Sequence, residues 1–161
     1  MTASRETVNL TADLPDCPHP KGGTLVFAFS DEARRAYHCA KEPLMSRYEG
    51  GCHCGKVRYA VELSLDNLVS CNCSICGKTG SILAFVPEAQ FESLAGAETL
   101  VDYQFGKKSI HHTFCPVCGV RPYSRGSGHD GKAMVAVNVR CLDSIDVHQL
   151  EIKTRFDGRN L

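Results

Sequence analysis

The chain has no tryptophan, only three methionines and no surplus of charge, with 18 Lys plus Arg against 18 Asp plus Glu in 161 residues. Neutrality excludes a protein that holds nucleic acid or an anionic membrane mainly through its net field. Basic residues do not alternate with aromatics as they do along a single-strand-binding groove. Long apolar runs are missing as well. None exceeds five residues, Leu25 to Phe29 being one, where a membrane-spanning helix needs about 20. No basic stretch followed by a long apolar segment opens the chain, so no secretory signal is read there. The apolar content of 43% excludes global disorder. The length suits one domain with at most an appendage. The expectation is a cytoplasmic protein without membrane or nucleic-acid partners.

Cysteine is abundant instead, at ten residues. In a reducing compartment clustered thiols are more often metal ligands than disulfides. Seven of them form three short clusters: Cys52 and Cys54, then Cys71, Cys73 and Cys76, then Cys115 and Cys118. Each cluster lies among turn residues, as in Gly50–Gly51 before Cys52 and Cys115–Pro116–Val117–Cys118–Gly119. Glycine and proline let the backbone curl until two sulfurs converge on one ion, about 2.3 Å from each.

Seven sulfurs divide as four plus three. A structural zinc ion takes a closed tetrahedron, and a reactive one keeps three protein ligands and an open position. Cys52, Cys54, Cys115 and Cys118 are therefore paired as a closed site, and Cys71, Cys73 and Cys76 form the open one, giving two zinc ions per chain. Spacing alone also permits Cys71 and Cys76 to pair with Cys115 and Cys118.

From Tyr48 onward the pattern is mostly β. Val57, Tyr59, Val61 and Leu63 alternate with Lys56, Arg58, Ala60 and Glu62, the period of a half-buried strand. Ser81 to Val86 reads as a more buried strand stopped by Pro87, and Pro87 to Leu94 as a short helix before Gly96. Strands are also expected over Leu100 to Phe105, Ser109 to Phe114, Met134 to Val139 and Gln149 to Lys153. The three glycines between Arg121 and Lys132 suggest a mobile loop. In the first 47 residues, Thr24 to Phe29 reads as a strand and Ser30 to about Lys41 as a capped helix. Cys17, His19, His38 and Cys39 read there as scattered thiols and surface histidines.

The run Tyr48–Glu49–Gly50–Gly51–Cys52–His53–Cys54–Gly55–Lys56–Val57–Arg58–Tyr59 resembles the opening of the glutathione-dependent formaldehyde-activating enzyme family, which includes centromere-protein-V-like proteins. The resemblance continues through Cys71–Asn72–Cys73–Ser74–Ile75–Cys76 with Gly77–Lys78–Thr79–Gly80. It extends to His112–Thr113–Phe114–Cys115–Pro116–Val117–Cys118–Gly119 and to Val137–Asn138–Val139–Arg140–Cys141–Leu142–Asp143. It implies a mainly β fold: a small antiparallel, zinc-stapled β-tent domain with short helices over residues 48–161, preceded by an N-terminal extension over 1–47. Nothing before residue 45 resembles the family, and Met45 onward looks like a family N-terminus in itself. Residues 1–44 are thus expected to be an appendage or the product of an upstream start.

The resemblance further implies the same four-plus-three assignment and a carbon–sulfur lyase. That activity condenses formaldehyde with glutathione, the co-substrate, to S-hydroxymethylglutathione, with Cys71, Cys73 and Cys76 as the reactive centre. Both partners are small molecules, a thiol and an aldehyde. Glutathione carries two carboxylates, so Lys78, Arg121 and Arg125 are candidate clamps for it, against the reading of ordinary surface charge. His112 is a candidate proton donor, read first as a packing residue near the closed site. His53 is expected to point outward, Cys141 to act as a small buried apolar residue, and Asp143 and Asp146 to serve turns. The competing function is a zinc-stapled binding module without catalysis.

Overall fold

The structure, a computed structural model, describes residues 44–128 and 130–160. Two sheets are built from ten strands. The first holds β1 (Ser46–Gly51), β2 (Arg58–Leu63) and β5 (Phe91–Ala95), in the order β1-β2-β5. The second holds β3 (Leu68–Cys71), β4 (Ile82–Pro87), β6 (Val101–Tyr103), β7 (His111–Phe114), β8 (Tyr123–Ser127), β9 (Ala133–Asn138) and β10 (Ile152–Phe156). Its order is β10-β3-β4-β9-β8-β7-β6, antiparallel except where β10 runs parallel to β3. The fold is mainly β, with one short helix among the described residues, α1 (Cys76–Thr79), and single 3₁₀ turns.

The alternation read in the first strand follows from burial on one face. Val57, Tyr59 and Val61 are fully buried and Leu63 nearly so, while Glu62 is exposed. Ala60 is buried too, because β2 is the centre of its sheet. Facing residues Ile82, Ala84 and Val86 of β4, Val135 and Val137 of β9, and Tyr123 of β8 complete the core. Each fully buried valine, leucine or isoleucine of this kind contributes about 1.5–3 kcal/mol. Tyr59, Phe91 and Tyr123 form an aromatic triangle, with ring centroids 4.6 to 5.7 Å apart.

Several expectations need correction. Strand β4 is half-buried, with Phe85 53% exposed, because its apolar run shows only alternate residues to the core. Pro87 to Leu94 is not a helix. Glu88–Gln90 makes one 3₁₀ turn and the chain then enters β5. Pairing of β5 with β2 outweighs the local helical signal and seats Phe91 on Tyr59. Gly96, read as a helix stop, instead turns the chain out of β5 at φ 71°, where a β-carbon would lie 2.0 Å from the Lys56 carbonyl oxygen. The expected loop between Arg121 and Lys132 contains β8, paired on both sides with β7 and β9. After β8, Gly128 N–H donates to Lys132 O at 2.8 Å, just before β9 begins. The strand and helix expected before Lys41, and Cys17, His19, His38 and Cys39, lie outside the described residues.

Candidate metal centre

All three cysteine clusters occupy hairpin loops. Gly51 pairs with Arg58, so the β1–β2 loop is the segment carrying Cys52 and Cys54. The loop between β7 and β8 carries Cys115 and Cys118, and the one between β3 and β4 carries Cys73 and Cys76 just after Cys71. Paired strands fix the roots of each loop, and the loop then has little freedom in where it aims its sulfurs.

The first and third loops make matching knuckles. In one, Cys52 N–H donates to Val57 O at 3.0 Å and Gly55 N–H to Cys52 O at 3.1 Å. In the other, Cys115 N–H donates to Val120 O at 2.9 Å and Gly119 N–H to Cys115 O at 2.8 Å. Gly55 and Gly119 follow the second cysteine of each pair at φ 75° and 73°, conformations that side chains with a β-carbon rarely adopt. The four sulfurs of Cys52, Cys54, Cys115 and Cys118 all lie within 4.8 Å of one another. Two of the separations are 3.5 Å (Cys52–Cys54) and 3.7 Å (Cys54–Cys115). A tetrahedron of sulfurs bound to zinc has edges of about 3.8 Å, whereas a disulfide needs about 2.05 Å. Donor set and spacing both fit a tetrahedral zinc ion.

The three sulfurs of Cys71, Cys73 and Cys76 converge separately, again within 4.8 Å. Cys71 ends β3, Cys73 turns its N–H toward Cys71 Sγ at 3.4 Å, and Cys76 opens α1. Gly80 closes that helix at φ 63°, its N–H on Cys76 O at 2.9 Å. The alternative grouping of Cys71 and Cys76 with Cys115 and Cys118 does not occur. No histidine or carboxylate joins either sulfur group among the described residues.

Thiol acidity reflects the crowding. The N–H of Val120, then the backbone at Cys54, draws Cys118 down to about 6. Burial, then Cys73 and Cys71 alongside, pushes Cys76 up to about 12. One thiolate in such a group discourages the next, and a bound cation removes that conflict by neutralising several at once. Cys141 is pushed to about 11 by burial and sits between the Asn138 amide and the Arg121 carbonyl.

A profile described as "Glutathione-dependent formaldehyde-activating enzyme" matches residues 47–156. The chain belongs to this family. A Rhodobacter sphaeroides protein of known crystal structure is similar as well. It is 31% identical with a TM-score of 0.60, the match covering 66% of this chain and 98% of that one. Among the described residues no helix is long and apolar enough to cross a membrane.

Three cations were read from sequence as contacts for glutathione, and the structure places them apart. Lys78 is exposed on α1, within the three-sulfur loop. Arg121 lies over the rings of Tyr103 and Phe114 at 5.8 and 5.7 Å, on the β6–β7 side of the sheet. Arg125 is ion-paired with Glu88 and stacked on Phe91 and Tyr123, three strands from β3. His112 is half-buried and stacked on Phe105 at 5.2 Å, while His53 is exposed. Asp146 caps a turn by accepting from His148 N–H at 3.0 Å. Asp143, read as a turn residue, takes an ion pair from Arg58 at 2.5 Å.

Sequence reasoning missed the neighbours of the three sulfurs that arrive from the far end of the chain. Because β10 runs beside β3, Phe156 pairs with Cys71, and residues 157–160 form a hook over the cluster. Asn72 fastens the hook: its Nδ2 donates to Asp157 Oδ1 at 2.7 Å and its Oδ1 accepts from Arg159 N–H at 3.0 Å. Arg140 reaches the end of α1, its Nε donating to Gly80 O at 3.0 Å. Nothing local in the sequence links these residues to the cysteines.

Proposed function

We propose that the chain adds the thiol of glutathione to formaldehyde or a related small aldehyde, forming S-hydroxymethylglutathione, a reaction classed in reverse as a carbon–sulfur lyase. The thiol S–H bond breaks, a sulfur–carbon bond forms, and the carbonyl oxygen gains a proton. Cys71, Cys73 and Cys76 hold one zinc ion at the reacting centre. Cys52, Cys54, Cys115 and Cys118 hold a second as a staple between the β1–β2 and β7–β8 hairpins. A zinc ion held by these three sulfurs would act as a Lewis acid toward a fourth, external sulfur and favour its thiolate form near neutral pH. The observation that carries the reading is the division of seven sulfurs into a group of four and a group of three. Four sulfurs fill a tetrahedron, and three leave one vertex for an outside ligand. Lys78 is the sequence-read cation whose place on α1 suits a contact with the thiol substrate.

The test is zinc per chain in reduced protein, before and after glutathione, with a mild chelator present. Two zinc ions, one labile and shielded by glutathione, support the reading. A single tight zinc indifferent to glutathione overturns it in favour of a zinc-stapled binding module without catalysis. The latter is favoured by one observation: among the described residues no histidine or carboxylate stands in the three-sulfur group to handle the proton.

A further inference from the structure

The seven-stranded sheet ends at β6, whose outer edge pairs with no strand among the described residues. Such an edge offers backbone N–H and C=O groups to another chain, and soluble proteins guard it with charge or with a bulge. The other sheet ends are guarded in these ways. β10 slips register between Ile152 and Thr154 and carries Lys153 and Arg155. β5 slips against β2 between Arg58 and Tyr59, and β1 carries Arg47 and Glu49. β6 pairs with β7 without a slip, and its one charge, Asp102, is taken by His111 at 2.7 Å.

On the face away from Asp102, strand alternation sets Val101, Tyr103 and Phe105 in one row, each between 40% and 46% exposed. Tyr103 stacks on Phe105 at 5.9 Å, Phe105 on His112 at 5.2 Å, and the Arg121 guanidinium lies over Tyr103. These contacts order the rings in advance, which lowers the entropic cost of covering them. The two ends of β6 are oppositely charged. Glu98 precedes the strand and Lys107 and Lys108 turn the chain beyond it. All three are exposed, and none makes an ion pair among the described residues.

The geometry points to β6 as an interface between two copies of this chain, paired antiparallel about a two-fold axis at Tyr103. In that register Tyr103 faces Tyr103, Val101 faces Phe105, and Asp102 faces Gln104. Centring the pair on Asp102 instead would set two carboxylates opposite each other, which is unfavourable. Residues directly opposite in an antiparallel pair share a face, so the two apolar rows join into one. The reversed strand directions bring the Lys107–Lys108 turn of each copy toward Glu98 of the other, and the two-fold axis makes that match occur twice. A short strand and one apolar row form a small contact, well short of the roughly 2,000 Å² or more of obligate dimers. The association is therefore reversible and weakens on dilution.

The experiment is sedimentation velocity of the zinc-loaded full chain over about a hundredfold range of concentration, up to roughly 0.5 mM. The average mass should rise from that of one chain toward that of two. Val101→Lys puts a charge into the apolar row and should weaken association about tenfold or more. Lys107→Glu should weaken it roughly threefold to fivefold, and adding Glu98→Lys should restore most of the loss. The two positions stand at opposite ends of β6 in one chain, so the rescue requires antiparallel copies and rules out misfolding as the cause. A mass of one chain at every concentration overturns the interface. A dimer indifferent to Val101→Lys, or a double variant no stronger than Lys107→Glu alone, overturns it as well, because the copies then meet elsewhere or in another register.

Discussion

Gly158 lies against Cys71 so closely that a β-carbon on Gly158 would stand 2.8 Å from Cys71 Sγ and 3.0 Å from Cys73 Cβ. Ordinary side-chain contacts do not reach that distance, so any larger residue must lift the hook or push the sulfur aside. Gly158→Ala is therefore expected to loosen the three-sulfur centre and spare the closed one. Global stability should change by less than about 1 kcal/mol, since the hook is a surface segment. A chelator chase should release one zinc ion faster from the variant while the other stays. Identical release curves would show that the hook is no wall of the centre.

The two cysteine groups differ in what depends on them. Cys115 is fully buried at the root of a knuckle, and its loop is held by two backbone hydrogen bonds, the two strands and the sulfur group. Structural zinc contributes about 10–16 kcal/mol in small zinc-finger peptides, comparable with the whole stability of a domain, about 5–15 kcal/mol. Cys115→Ser is expected to abolish cooperative unfolding. Cys73→Ser should keep the fold, retain one zinc ion and lose thiol binding. Near-ultraviolet circular dichroism from the Tyr59, Phe91 and Tyr123 cluster reads the first outcome. A cooperatively folded Cys115→Ser protein would show that the closed group is no staple.

The Tyr59 hydroxyl is buried and has no hydrogen-bond partner among the described residues. Gly50 crosses above it, where a β-carbon would meet the hydroxyl oxygen at 2.7 Å. An unsatisfied buried hydroxyl costs about 1–3 kcal/mol in desolvation, while its ring still packs against Phe91 and Tyr123. Tyr59→Phe keeps the ring and removes the orphan group. The expected result is a gain of about 1 kcal/mol in the free energy of urea unfolding. A loss of that size would show that the hydroxyl has a partner in solution.

What could be read from the sequence was whatever repeats or clusters locally. Val57, Tyr59, Val61 and Leu63 disclosed their buried face because a strand alternates every second residue. The cysteine loops showed themselves by the glycines that let two sulfurs turn inward. Strand β8 stayed hidden because Ser124, Gly126 and Ser127 carry turn-like composition, and pairing with β7 and β9 outweighs that preference. Phe91 was misread for the same kind of reason, since its place on Tyr59 is a tertiary contact. The hook is the extreme case: Gly158 meets Cys71 only because β10 joins β3 in parallel, and no local pattern announces that pairing. Arg125, read as a cation by its nearness in sequence to the knuckle, pairs with Glu88 and stacks on Phe91 and Tyr123, contacts that join distant strands and leave no local mark.

His112 gives a stability that depends on pH in a calculable direction. Burial first, and then the nearby Arg121 guanidinium, hold its imidazole below the ordinary value of 6.5, with Asp102 opposing them weakly. The unfolded chain therefore takes up this proton first as the pH falls. Stability from the neutral imidazole is fully present above 6.5 and is lost as the pH drops from there toward the lowered folded value. The slope cannot exceed about 1.4 kcal/mol per pH unit for one proton. Asp143, held low by its hydrogen bond to Arg58, titrates well below this window. Urea unfolding of the zinc-loaded protein between pH 7.5 and pH 5, compared with His112→Gln, isolates the effect, because protonation of the cysteine ligands acts on both proteins alike. The unaltered protein should lose more stability on acidification than the variant does. Parallel curves would mean that His112 is as accessible in the folded chain as in the unfolded one, and that its stacking on Phe105 does not exclude water.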